Sequence, residues 1–140
     1  MRAVGLDLGT RRIGVAVSDS GGTLASPYEV VERGADRASD HATVARIVAD
    51  LDAELVVVGL PLSLDGTIGP AAAAALAEVD ELAAALDVPV ETHDERLTTV
   101  TAESSLRDRG VKGRARRRVV DKVAAAVMLQ AWLDGRRVQG

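Results

Sequence analysis

Three acidic residues occupy positions from which a carboxylate can bind a metal ion. Asp7 lies near the end of the first predicted strand, Glu95 follows the fifth, and Asp121 lies on the last predicted helix. Buried carboxylates that meet repel one another and lose hydration, which proteins tolerate mainly where a divalent cation joins them. Each acid also has an alternative role that involves no metal. Asp7 could cap a turn, Glu95 could be an acid at a helix N-terminus, and Asp121 could be an exposed helix residue. The metal-site hypothesis therefore depends on whether the three residues converge.

One face of the first predicted hairpin is built from small side chains. The large residues that alternate along it are Val4, Leu6, Leu8, Ile13, Val15 and Val17, and the small ones are Ala3, Gly5, Gly14, Ala16 and Ser18. Asp7 lies on the small face, which lets a helix backbone approach closely. The last helix carries matching small residues, which are Ala124, Ala125, Ala126 and Ala131. Asp121 shares its flank with Ala124, Ala125 and Met128 by helical spacing. We therefore expect Asp7 and Asp121 to meet, unless another helix covers the small face.

A strongly basic segment interrupts an otherwise acidic chain. Arg107–Arg118 contains seven lysines and arginines and one acid, whereas the other residues hold ten lysines and arginines and twenty acids. The segment therefore carries +6 and the remainder −10. An isolated charge run is usually a solvated surface, but a basic cluster near candidate metal ligands also indicates binding to a phosphate backbone. The arginines that we assign to nucleic-acid binding in this segment are Arg114, Arg116, Arg117 and Arg118.

Two further arginines and two histidines complete the candidate set. Arg12 and Arg96 flank the acids, where a guanidinium can bind phosphate oxygens in bidentate fashion or pair with the acids themselves. We include both as candidate nucleic-acid-binding residues. His41 and His93 are expected to be core or surface residues, with His93 also a candidate for orienting substrate.

Hydrophobic periodicity predicts the elements that must position these residues. The predicted strands are Ala3–Gly9, Arg12–Asp19, Thr23–Glu32, Leu55–Gly59 and Val88–His93. The predicted helices are Asp40–Leu51, Pro70–Leu86, Thr98–Arg109 and a last helix that follows Lys112–Arg118 and runs to about Asp134. The apolar stripe expected on the last helix consists of Val120, Val123, Ala124, Val127, Met128 and Ala131. Pro27 places the third strand at a sheet edge, and Asp40 is the expected N-cap of the first helix.

This order of elements predicts an α/β fold. Three antiparallel strands followed by crossover units imply a mixed five-stranded sheet, with the last two strands parallel and helices on both faces. The 140 residues are the length of a single domain spanning residues 1–140.

Composition and motifs exclude several classes of protein. The chain has no cysteine, which excludes disulfides and thiolate metal sites. The first residues enter a strand pattern rather than a signal peptide, and no apolar run has the length of a membrane span, so we expect a cytoplasmic protein without a membrane partner. The loop Pro61–Gly69 lacks the P-loop pattern that would favour nucleotide binding. One Tyr, one Trp and no Phe provide few platforms for stacking bases.

Four sequence blocks together resemble the YqgF family, also called RuvX. They are Asp7–Ala16 (DLGTRRIGVA), Val58–Pro61 followed by Asp65–Thr67 and Gly69–Pro70, Asp94–Thr99 (DERLTT), and Asp121–Ala125 (DKVAA) followed by Leu129–Gln130. These blocks span nearly the whole chain in order, whereas Asp-Leu-Gly-Thr alone would be a weak signal. The resemblance implies a ribonuclease-H-like fold. Members are described as nucleases that act in maturation of the 5′ end of pre-16S ribosomal RNA, and as Holliday junction resolvases.

The resemblance also implies a set of site residues and a cofactor. By position, it assigns Asp7, Glu95 and Asp121 as catalytic and metal-binding residues. Asp94 is the alternative to Glu95, because the fourth predicted strand, which supplies the second acid in many relatives of this fold, contains no carboxylate. Three carboxylates near one point can hold two Mg²⁺ or Mn²⁺ ions about 4 Å apart. We therefore expect a metal-dependent nuclease.

Three other functions remain open at the level of sequence. A Holliday junction resolvase must cut two strands symmetrically and is expected to act as a two-fold dimer. A non-catalytic nucleic-acid-binding assembly factor could retain the same acids. A kinase-like ATPase shares Asp-Leu-Gly-Thr but needs two such domains.

Two features favour RNA processing over junction cleavage. The single short basic segment suits one strand of backbone better than four duplex arms. In addition, the acids Glu78, Asp80 and Glu81 are expected to be exposed on the second predicted helix and to oppose strong dimerisation. Together with the family resemblance, which carries most of the weight, these features make structured RNA the expected partner, with branched DNA as the alternative. The expected state is a monomer or weak homodimer.

Overall fold

The structure is a computed structural model that describes residues 1–63, 65–94 and 113–139, with side chains of the last helix described from Val119 to Arg136. Its strands are β1 (Ala3–Leu8), β2 (Arg12–Ser18), β3 (Ala25–Glu32), β4 (Leu55–Leu60) and β5 (Val90–Asp94). Its helices are α1 (Arg37–Asp50), α2 (Pro70–Ala85) and α3 (Gly113–Gln139). The predicted helix Thr98–Arg109 lies outside the described residues.

The five strands form one mixed sheet in the order β3-β2-β1-β4-β5. β1, β2 and β3 pair antiparallel, whereas β4 and β5 continue the sheet as parallel strands beside β1. The expected sheet architecture is thus confirmed. Pro27, which has no backbone N–H to donate, lies on the edge strand β3 next to an irregularity between Val15 and Ala16 of β2.

Helices α1 and α2 cover the face of the sheet that carries the large side chains. Its fully buried residues include Leu6, Ile13, Val15, Val56, Val58, Val44 of α1 and Leu82 of α2. Helix α1 begins one turn earlier than predicted, because Asp36 and not Asp40 is its N-cap: the Asp36 side chain accepts from the backbone N–H of Ser39 at 2.7 Å. Asp40 is instead buried and accepts from the backbone N–H of Gly34 at 2.7 Å.

Helix α3 packs on the opposite, small-residue face, as the alternation predicted. A Cβ atom on Gly5 would lie 2.9 Å from the Cβ of Leu129 and 3.2 Å from the carbonyl oxygen of Ala125, so only glycine permits this approach. The predicted apolar stripe of α3 was partly wrong. The buried residues of α3 are Ala124, Ala125, Ala126, Met128, Leu129, Trp132 and Leu133. The helix turns its alanines towards the glycines of the sheet because this allows the closest packing, which leaves Val120, Val123, Val127 and Ala131 only partly buried.

Helix α3 also begins earlier than predicted. Its first turns, from Gly113, include the second half of the basic segment, so the arginines expected before the helix belong to it. In the part of the chain that the structure describes, no helix is both long and apolar enough to cross a membrane.

Candidate metal centre

Asp7 and Asp121 come together where β1 ends beside α3. Asp7 is paired with Gly14 of the neighbouring strand β2. A Cβ atom on Gly14 would overlap the backbone carbonyl oxygen of Asp121, so the helix backbone lies directly against the strand at this point. The small-residue face therefore brings these two acids together, as the sequence predicted.

The surroundings of Asp7 disfavour its charged form. Burial, with a further contribution from the negative charge of Asp121, raises the pKa of Asp7 from its usual 3.8 to about 6. At neutral pH the carboxylate is therefore ionised at a cost. A divalent cation between the two carboxylates would replace lost hydration and neutralise their repulsion. The donor set fits a hard cation with oxygen ligands, such as Mg²⁺ or Mn²⁺.

Arg12 pairs with one of the two acids. Its Nε donates to Oδ2 of Asp121 at 2.6 Å, and both side chains are largely shielded from solvent. This hydrogen bond, together with the charge of Asp121, outweighs the desolvation of the guanidinium and raises the pKa of Arg12. Of the two roles considered for Arg12, the structure contains the ion pair with an acid, and phosphate binding stays a prediction.

Of the two candidates for the second acid, the structure describes only Asp94. Glu95 and Arg96 lie outside the described residues. Asp94, the alternative second acid, ends β5 and pairs with Leu60 of β4. Since side chains alternate along a strand, Asp94 shares a face with Val90, which packs against the core under α1 and α2, whereas Asp7 lies on the α3 face. Among the described residues, no group of three or more His, Cys, Asp or Glu could hold a metal ion.

The two histidines lie on opposite faces of the sheet. His93 is on the face of α3, with Gly59 beside it in β4. Burial lowers the pKa of His93, against an opposing effect of Asp94. His41 is buried on the other face, where its Nε2 lies 2.7 Å from Oε2 of Glu78. Of the two placements expected for His41, core or surface, the structure shows the core.

Only the second half of the basic segment, from Gly113 onwards, belongs to the described residues. Residues 107–112 lie outside the described residues, and the backbones of Arg114, Arg116, Arg117 and Arg118 form the first turns of α3. These turns precede Asp121 on the same helix. The assignment of their side chains to nucleic-acid binding stays a prediction.

Sequence reasoning missed a buried ionic network behind the turn that follows Asp7. The expectation that Glu78 is exposed was wrong: it is buried, and both its carboxylate oxygens accept from Arg33, at 2.7 and 2.9 Å. Burial by itself would raise the pKa of Glu78, but the hydrogen bonds from Arg33 and His41 outweigh it and lower that pKa. A signal was available, because Glu78 follows Ala75 and precedes Leu82 at helical spacing, and both are buried.

The sheet order and the helix on its small-residue face are those of a ribonuclease-H-like fold. The fold is shared with "T. thermophilus RuvC in complex with Holliday junction substrate", with a TM-score of 0.58, 22% identity and coverage of 98% of this chain and 96% of that chain. The particular family follows from the sequence. The model of RuvX, described as Holliday junction resolvase, matches residues 1–135, and the chain belongs to this family.

Similar proteins from two bacteria carry the same name. The chain is 49% identical over 138 residues to the "Putative pre-16S rRNA nuclease" of Mycobacterium ulcerans (strain Agy99), covering 97% of this chain and 80% of the relative. It is 50% identical over 137 residues to the protein of the same name from Anaeromyxobacter dehalogenans (strain 2CP-C), covering 97% of this chain and 98% of the relative. These similarities confirm the resemblance seen in the four sequence blocks.

Proposed function

We propose that this chain is a metal-dependent nuclease that hydrolyses phosphodiester bonds in the processing of the 5′ end of pre-16S ribosomal RNA. The observation that carries the proposal is the meeting of Asp7 and Asp121, two carboxylates whose burial and proximity raise the pKa of Asp7 to about 6. Membership of the RuvX family, and relatives named as nucleases of this RNA, support the choice of reaction and substrate. We propose that residues 1–140 form a single nuclease domain that acts in the cytoplasm.

We assign Asp7, Asp121 and Glu95 as the ligands of two Mg²⁺ or Mn²⁺ ions. When bound, such a pair supplies activation of water and stabilisation of the charge on the leaving oxygen of a phosphodiester. The chain itself supplies anionic ligands and their orientation. Arg12 holds Oδ2 of Asp121 at 2.6 Å, so Oδ1 is the oxygen that we assign to an ion. Neither histidine is required as a base.

The basic segment is proposed to hold the substrate backbone. Arg114, Arg116, Arg117 and Arg118 precede Asp121 on α3 by one to two helical turns, so phosphates bound by these turns would lie near the acids. Arg12 and Arg96 are proposed to contact phosphate oxygens next to the site. Such binding depends on charge rather than base sequence and weakens with salt.

A cleavage assay with two substrates tests the proposal. The parent protein and the Asp7→Asn variant are incubated with a precursor 16S RNA fragment or a four-way DNA junction, in Mg²⁺, Mn²⁺ or EDTA. We expect cleavage of the RNA that requires metal and is abolished in the variant. Metal-independent cleavage, or equal activity of the variant, would refute the metal centre.

Junction cleavage is the second candidate function, because the family model is described as Holliday junction resolvase. In that case the junction would be cut by paired symmetric nicks, the protein would be a dimer in solution and the RNA would stay intact. For RNA processing we propose a monomer or weak homodimer. Binding without cleavage of either substrate would instead favour a non-catalytic assembly factor.

A further inference from the structure

A single short turn carries two residues of the proposed metal centre. It joins β1 to β2, with Asp7 just before it and Arg12 just after it, and both lie on the face of α3. The turn is tight: the N–H of Gly9 donates to the carbonyl of Arg12 at 2.9 Å, and a Cβ atom on Gly9 would lie 2.6 Å from that oxygen. A tilt of this turn would therefore move Asp7 and the partner of Asp121 together.

Arg33 holds this turn from the opposite face of the sheet. Its Nε donates to the carbonyl oxygen of Gly9 at 2.8 Å, and its backbone N–H donates to the carbonyl oxygen of Arg11 at 2.9 Å. The side-chain bond satisfies a carbonyl that lies beyond the last residue pair of β1 and β2. The position of the Gly9 carbonyl is thus set by the guanidinium plane of Arg33.

That plane is itself held by groups from both helices on this face. The two Nη atoms of Arg33 donate to the two carboxylate oxygens of Glu78 on α2, at 2.7 and 2.9 Å. Oδ2 of Asp40 on α1 lies 3.5 Å from Nη1 of Arg33. Nε2 of His41, also on α1, lies 2.7 Å from Oε2 of Glu78. A bidentate pair of this kind fixes orientation as well as distance.

The burial of the network distinguishes it from an ordinary surface ion pair. The side chains of Arg33 and Glu78 are 13% and 7% exposed, whereas Arg37 and Glu81, which pair between α1 and α2, are 50% and 44% exposed. A well-packed apolar cluster often stabilises a protein as much as a buried ion pair does. An apolar cluster, however, cannot donate a hydrogen bond to the turn, whereas Arg33 donates one to the Gly9 carbonyl oxygen.

We propose that Arg33 is a positioning residue of the metal centre, oriented by Glu78, and that it acts through the Gly9 carbonyl to place Asp7 and Arg12. This inference rests on the proposed nuclease function. Supporting groups of metal ligands typically change metal affinity or activity by about 10- to 100-fold when removed. A misplacement of about 1 Å at a reacting centre has effects of about 100-fold.

The test compares two matched pairs of variants. Arg33→Lys keeps the positive charge beside Glu78, but a single ammonium lacks the planar fork that joins Glu78 to Gly9. Glu78→Gln removes the charged side of the fork. The controls are Arg37→Gln and Glu81→Gln, which break the exposed pair between the two helices. For each protein, kcat and KM are measured on the precursor 16S RNA fragment, Mn²⁺ uptake is followed by electron paramagnetic resonance, and Tm by circular dichroism.

We expect Arg33→Lys and Glu78→Gln to lower kcat and to raise the Mn²⁺ concentration at half-saturation, each by about 10-fold or more, with KM for RNA within about twofold of the parent. The control variants should match the parent within about twofold in kcat, in KM for RNA and in the Mn²⁺ concentration at half-saturation. A purely structural role would lower Tm but leave kcat and Mn²⁺ half-saturation at parent values when measured well below Tm, and that result overturns the proposal.

The two proposals fail in different ways. A parent protein that binds Mn²⁺ but does not cut the RNA refutes the proposed substrate, while Mn²⁺ half-saturation in the Arg33 and Glu78 variants still decides the positioning role. A parent protein that neither binds Mn²⁺ nor cuts RNA overturns both.

Discussion

Replacement of Asp7 by Asn tests the electrostatics of the metal centre separately from its chemistry. A pKa raised from 3.8 to about 6 means that the folded protein holds its proton more tightly than the unfolded chain. Ionisation of Asp7 at neutral pH therefore costs the folded state free energy. One pKa unit corresponds to about 1.4 kcal/mol, so the cost is about 3 kcal/mol at most. Asparagine has nearly the same shape and no charge, so the metal-free variant should be more stable than the parent by about 1 to 3 kcal/mol.

The gain should depend on pH in a defined direction. Stability of the parent falls as pH rises from the unfolded-state value of 3.8 to the folded-state value of about 6, because the folded state binds the extra proton in that window. The advantage of the Asn variant should therefore be largest above pH 6 and shrink to about 1 kcal/mol at pH 4.5.

Urea unfolding in EDTA at pH 7.5 and pH 4.5 measures this difference. Asp80→Asn, a change at an exposed acid of α2, is the control and should alter stability by less than about 0.5 kcal/mol. Addition of Mn²⁺ should raise the Tm of the parent more than that of the Asp7→Asn variant, because a ligand stabilises the state that binds it. An Asn variant that is less stable than the parent at pH 7.5 in EDTA would refute the reasoning.

Further predictions follow from the packing and the charges. Gly14→Ala should lower the free energy of unfolding by about 2 kcal/mol or more and abolish cleavage, because the added Cβ would overlap the backbone of α3. Gly135→Ala is the control on α3. Its added Cβ would meet no atom within 4 Å, so it should raise the free energy of unfolding in urea by about 1 kcal/mol. Glu78→Ala should cost about 3 to 5 kcal/mol by removing the bidentate partner of the buried Arg33, against less than about 1 kcal/mol for Glu81→Ala. The lowered pKa of Glu78 means that its stabilisation is present above the usual Glu pKa of about 4.3 and is lost as pH falls below it, so acid unfolding of Glu78→Gln should be shallower than that of the parent. Replacing the three arginines of Arg116–Arg118 with Ala should weaken RNA binding equally for unrelated sequences and reduce the salt slope by roughly one per lost phosphate contact; a parent-like slope would show that they face solvent.

The meeting of Asp7 and Asp121 was predictable from sequence because it depends on residue size at fixed spacing. Alternation along a strand is a local property of the backbone, so the glycines and alanines of β1 and β2 had to share one face. Such a face admits a helix backbone, and α3 offers the matching alanines. The order of the predicted elements indicated the mixed sheet, and the missing backbone N–H of Pro27 indicated its edge position.

The burial and the hydrogen-bond partners of charged residues were decided by the tertiary structure. Asp40 follows a loop and precedes an apolar pattern, which predicts an N-cap, yet Asp36 caps α1 and Asp40 accepts from the backbone N–H of Gly34. Glu78 on an alanine-rich helix was expected in solvent. It is buried because Arg33, far away in sequence, reaches it across the sheet face.

Sequence alone determined which residues share a face of each strand or helix, because backbone geometry repeats over a few residues. It also carried the four family blocks, and with them the expected class of reaction. The tertiary structure decided which carboxylates are buried, which arginine pairs with which acid and what holds the turn after Asp7. These depend on side chains that are distant in sequence, and the desolvation of a charge is compensated only by a partner that folding brings within hydrogen-bond distance.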